Sequence, residues 1–107
     1  MIYELRTYYI MPGKMPDIQS RFANHTLGFF DKHGVQVVGF WTELVGQNDT
    51  LVYITAFESM ADREEKWNAF MSDPGWLAVR AETERDGQIV ARVENRILQP
   101  TEFSPLQ

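Results

Sequence analysis

VQVVGFWTELVGQNDTLVYITAFE, Val35–Glu58, is the stretch that decides the fold. Two runs rich in β-branched and aromatic residues, Val35–Leu44 and Thr50–Glu58, flank Gly46-Gln47-Asn48-Asp49, and that composition and spacing describe a β-hairpin. Before it, Met15, Ile18, Phe22, His25 and Phe29 recur at steps of three and four, with Ala23, Leu27 and Phe30 widening the stripe. This predicts a helix that opens at Pro16 and Asp17 and stops at Gly34. Earlier still, IYELRTYYI (Ile2–Ile10) alternates like a strand and ends at Pro12-Gly13. After the hairpin, Ser59 and Asp62 are spaced as a capping pair for a second helix with Met60, Arg63, Trp67, Phe70 and Met71 on one side. Asp73-Pro74 restarts a helix carrying Trp76 and Val79, and Asp86-Gly87 leads into a last strand, Ile89–Leu98.

The order strand-helix-strand-strand-helix-strand predicts an α+β fold of ferredoxin-like βαββαβ type. Its four-stranded antiparallel sheet should carry helices on one face. With no repeat, linker or low-complexity tract, residues 1–107 should form a single domain, with 100–107 as an extended tail punctuated by Pro100 and Pro105. Helices on one side leave the other sheet face bare. The aliphatic phase Val52, Ile54 and Ala56 suits the helices. Tyr8, Trp41 and Tyr53 would then fall on the free face, beside Glu4, Arg6, Glu43, Arg92, Glu94 and Arg96. So aromatic a face should not stand in water, and a homodimer packed sheet to sheet is expected. A single β-bulge would reverse this phase.

A net charge of −5 argues against binding nucleic acid or an anionic membrane by bulk attraction. No cysteine is present, which removes disulfides, thiolate nucleophiles and Cys-ligated metals. No apolar run approaches the roughly 18 residues of a membrane span. The first strand starts directly after Met1, which leaves no room for a leader, and a cytoplasmic location is expected.

His25, between Phe22 and Phe29 on the apolar stripe, reads either as an acid/base or hydrogen-bond donor in a pocket, or as a structural histidine at the edge of the stripe. His33, near the helix C-terminus, suits the negative end of the dipole. The two lie about 12 Å apart along a helix and cannot share a metal. Arg63, one turn before Trp67, could hold a carboxylate or phenolate bidentately, or pair with a nearby acid. Trp67 and Trp76, with Tyr9, could wall a ligand pocket between helix and sheet, or simply pack the core. Glu4 and Glu94, interleaved with Arg6, Arg92 and Arg96, suit structural ion pairs better than a carboxylate dyad. No phosphate loop, nucleophile elbow or Cys/His dyad occurs, and neither a metal nor a cofactor is expected.

Tyr3-Glu4-Leu5-Arg6-Thr7-Tyr8 followed by Pro12-Gly13-Lys14, then Gly39-Phe40-Trp41 with Glu43, then Arg63, Trp67, Asp73-Pro74 and Trp76, resemble the NIPSNAP family over residues 2 to 98. The resemblance implies a dimeric α+β barrel of two ferredoxin-like sheets. That wider fold group includes cofactor-free monooxygenases, haem-handling enzymes and small stress-responsive proteins. Two functions stay open. One is a cofactor-free monooxygenase- or isomerase-like enzyme on small aromatic compounds, with His25 or Arg63 positioning an acidic oxygen. The other is a non-catalytic dimeric small-molecule-binding or stress-related protein. The haem-degrading relatives carry an axial histidine after the second strand pair. This chain has none beyond His33, so tight haem binding is not expected.

Overall fold

Strand β1 (Ile2–Ile10) lies inside the sheet of the computed structural model, which describes residues 1–107. It is paired antiparallel with β3 (Thr50–Phe57) on one side and β4 (Val90–Leu98) on the other. β2 (Gln36–Thr42) completes the order β2-β3-β1-β4, the α+β ferredoxin-like arrangement expected from the element order. The helices are α1 (Met15–Arg21), a π-helical turn (Phe22–Thr26), α2 (Leu27–Lys32), α3 (Met60–Met71) and α4 (Pro74–Thr83).

The local signals for the helix ends hold. Ser59 accepts from the Asp62 N–H while Asp62 accepts from the Glu58 N–H, which caps α3. Asp73 accepts from the Gly75 N–H at 2.8 Å with Pro74 in the first turn of α4. Gly34 takes a φ of 73°, the left-handed conformation that ends α2.

The core between helices and sheet contains Ile10, Ile18, Phe22, Phe30, Val35, Leu51, Tyr53, Phe57, Phe70, Trp76 and Ile89. Tyr53 is therefore on the helix side, which corrects the expected phase. Leu51, Tyr53, Thr55 and Phe57 face the helices, and so do their β1 neighbours Glu4, Arg6 and Tyr8. The phenol can be buried because Arg6 Nε donates to its hydroxyl at 2.9 Å and Tyr8 Oη lies 2.8 Å away.

The free face instead carries Leu5, Thr7, Tyr9, Val52, Ile54, Arg92, Glu94 and Arg96. Trp41 joins them, as expected, because a register shift between Val37 and Gly39 resets the phase of β2. A Cβ on Gly39 would sit 2.9 Å from the Trp41 ring, so glycine lets the indole lie along its own strand. Glu4 and Glu94 fall on opposite faces, each in an ion pair, Glu4 with Arg6 and Glu94 with Arg92. The tail returns to the sheet, where Tyr3 Oη donates to the Gln107 carbonyl at 2.6 Å.

Candidate functional site

A cavity of about 430 Å³ opens between the helical layer and the sheet. Tyr8 and Arg6 from β1 form its floor, while Phe22, Thr26 and Phe30 line one wall and Trp67, Phe70 and Trp76 another. Arg21, Arg80 and Glu84 bring charge to it. The rings pack with centroids 4.9 Å apart between Phe30 and Phe70 and between Phe70 and Trp76, which makes a continuous aromatic wall.

Trp67 and Trp76 thus line the cavity together. Tyr9 does not. Its side chain points to the other face of the sheet, where it donates to Glu94 at 3.1 Å under the Arg92 guanidinium. Strand alternation dictates this, since Tyr8 already faces the helices.

His25 is exposed and does not line the cavity, against the expected stripe. The cause is the π-helical turn, in which the Leu27 N–H bonds the Phe22 carbonyl five residues back. This keeps a step of four through Ile18, Phe22, Thr26 and Phe30, all buried, and rotates His25 outward. Thr26 takes the inner position and returns its hydroxyl to the Arg21 carbonyl at 3.3 Å.

Arg63 holds a carboxylate bidentately, but that carboxylate belongs to Glu4: Nε meets Oε1 at 2.7 Å and Nη2 meets Oε2 at 3.0 Å. Arg63 is not among the cavity residues. Burial works to raise the Glu4 pKa, and hydrogen bonds from Arg63 and Asn95 with the charges of Arg6 and Arg63 outweigh it, so the carboxyl titrates below its usual range.

The residues that sequence reasoning missed are Arg6, Tyr8 and Arg21. Arg6 lies over Trp67, 4.4 Å from the ring centroid, and donates to both Glu4 and Tyr53. Burial pushes the Tyr53 hydroxyl well above the usual phenol range, and the neighbouring Tyr8 adds to it, so Tyr53 stays protonated. Arg21 reaches Thr83 and Glu84 through Nη1, whereas its Nε and the Trp76 Nε1 are buried without an acceptor in the protein. The arginine pattern inside RTYY was visible in the sequence, but the phase of β1 was needed to aim it. His33 pairs with Asp73 at 2.7 Å beside Lys32 at 2.8 Å, and this cluster ties α2 to α4. No group of three or more His, Asp or Glu is placed to hold a metal ion, and no helix is long and apolar enough to cross a membrane.

The NIPSNAP family model matches residues 3–105. The chain belongs to the NIPSNAP family. It is 32% identical over 106 residues to a NipSnap protein of Caenorhabditis elegans, covering 99% of this chain and 19% of that protein. The chain thus spans about a fifth of the nematode relative's length. Protein Atu4242 from Agrobacterium tumefaciens superposes with a TM-score of 0.88 at 33% identity over 100% of both chains. The cofactor-independent oxygenase SnoaB from Streptomyces nogalater superposes with a TM-score of 0.63 at 16% identity, covering 97% of this chain and 96% of that one. That last likeness concerns the fold alone. The NIPSNAP motifs fall on both faces of this sheet: Arg6 and Tyr8 on the cavity floor, Trp41 on the face away from the helices.

Proposed function

We propose that residues 1–107 act as one NIPSNAP domain, paired as a homodimer through the free sheet face, that holds a small apolar-bodied molecule between helices and sheet. The observation that carries this is a cavity of about 430 Å³ walled by Phe22, Phe30, Trp67, Phe70 and Trp76, with Arg6 and Tyr8 on its floor. An apolar enclosure with a few convergent polar groups is the usual form of a small-molecule site. The dimer is supported by Trp41, half-exposed on a sheet face that also presents Leu5, Val52 and Ile54. A cytoplasmic location belongs to the same proposal, and membrane association of the tagged full chain in cell fractions would count against it.

Soaking crystals of the protein with a mixed library of flat aromatic compounds tests the site. Density between Trp67 and Trp76 supports it, and density confined to other surfaces contradicts it.

A second reading, catalysis of the cofactor-free monooxygenase or isomerase kind on small aromatic compounds, is favoured by the Arg6–Tyr53–Tyr8 hydrogen-bond chain ending at the cavity. Such a chain can hold a developing oxyanion in place. Turnover of a bound ligand under air, absent in Tyr8→Phe, would favour it over simple binding.

A further inference from the structure

The acid beneath the cavity floor is shared between two arginines. Glu4 is fully buried, and its single carboxylate serves two guanidiniums, Arg6 through Nη1 at 2.9 Å and Arg63 through Nε and Nη2. Asn95 donates to the same carboxylate at 2.9 Å, so its acceptor positions are largely used. Glu4 thus serves both Arg6, on the cavity floor, and Arg63, which is nearer the surface and also has Glu64 close by. The Arg6 side chain is only 11% exposed and lines the cavity, and no protein acceptor takes its Nη2. That nitrogen is free to donate to a ligand acceptor.

The two tyrosines add a hydroxyl pair that reaches the cavity. Tyr53 is 0% exposed, and its oxygen accepts from Arg6 Nε at 2.9 Å. Its own proton has one acceptor in reach, Tyr8 Oη at 2.8 Å. When Tyr53 donates to it, the Tyr8 proton is free to meet a ligand, on a half-buried ring that lines the cavity.

We infer that the cavity takes an organic oxyanion, a flat apolar body bearing one carboxylate or enolate oxygen, which Tyr8 Oη and Arg6 Nη2 meet while Trp67, Phe70 and Trp76 hold the body. This rests on the small-molecule reading of the cavity and adds the charge and the polar end of the ligand. The Glu4–Arg63 pair positions Arg6. Tyr8 and Arg6 are the groups that touch the ligand.

The test uses 2-naphthoate and its neutral counterpart 2-naphthalenemethanol, titrated calorimetrically into the full chain near neutral pH. The acid should bind about tenfold tighter or more, and Tyr8→Phe should remove most of that preference. Equal affinity of wild type for the two probes would overturn the inference and leave the cavity reading intact. Binding of neither would overturn both. An acid preference undiminished in folded Tyr8→Phe would remove Tyr8 from the site. A crystal soaked with 2-naphthoate decides the matter independently of the variant. Its carboxylate should lie within hydrogen-bond reach of Tyr8 Oη and Arg6 Nη2, and a carboxylate directed elsewhere would contradict the assignment.

Discussion

Arg63 and Glu4 meet fork to fork, Nε on Oε1 at 2.7 Å and Nη2 on Oε2 at 3.0 Å, across the layer between α3 and β1. An arginine spaced one turn before a tryptophan thus serves the inside of the protein, and what it holds in place is the floor of the cavity.

Removing the acid of that pair should be expensive. Glu4→Ala leaves Arg6 and Arg63 facing each other with no carboxylate between them, and a cost of about 3–5 kcal/mol is expected from urea unfolding near pH 7. The Glu4 carboxyl titrates low in the folded protein, so its contribution is present above its unfolded pKa of about 4.3 and is lost as pH falls through the lower folded value. The gap between wild type and variant should therefore narrow only in acid. A gap unchanged between neutral and strongly acidic pH would count against the ion-pair account.

His25 and Phe30 should separate cleanly. His25 is exposed beside the π-helical turn, and His25→Ala should change stability by no more than about 0.5 kcal/mol. Phe30 is 2% exposed among Phe22, Tyr53, Trp67 and Phe70, and Phe30→Ala should cost about 3–5 kcal/mol. Denaturant titration of both variants checks the phase of this helix, and a larger loss at His25 than at Phe30 would show that it had been misread.

These contrasts mark what the sequence could reveal. The helix starts at Ser59 and Asp73 were legible because each depends on a side chain and a backbone N–H two or three residues apart. Trp67 and Trp76 were legible as a possible pair because both face the core of their own helices. The inward Tyr53 was not, because the groups that make its burial tolerable, Arg6 and Tyr8, come from a neighbouring strand. His25 was misplaced because helical periodicity assumes one turn geometry, and the turn at Phe22–Thr26 has another. Tyr9 followed from the same strand phase as Tyr53 and was misplaced with it.

Asp73 should make the protein sensitive to acid. Hydrogen bonds from Lys32 and His33 hold its carboxyl far below the usual range, and Gly75 adds to them. A depressed folded pKa means stability that is present above the unfolded value of about 3.9 and is lost as pH falls below it. Asp73→Ala should lower the melting temperature at neutral pH, and the gap to wild type should shrink steadily as pH falls from about 4 toward 2. Parallel melting curves at both pH values would contradict this linkage.

The sheet face should govern assembly. Sedimentation equilibrium at micromolar concentration should return a dimer, and Trp41→Asp, on the half-exposed indole, should shift it toward monomer. A stable 12.4 kDa species for the wild-type chain would refute pairing through this face.

The central claim, a ligand held between helices and sheet, is tested most directly by the three indole N–H signals of the protein in a nuclear magnetic resonance titration with 2-naphthoate. Trp67 and Trp76 line the cavity, and Trp41 lies on the other side of the sheet. Saturable shifts of the Trp67 and Trp76 signals with Trp41 unmoved are the predicted result. Shifts at Trp41 alone, or at none of the three, would contradict the account.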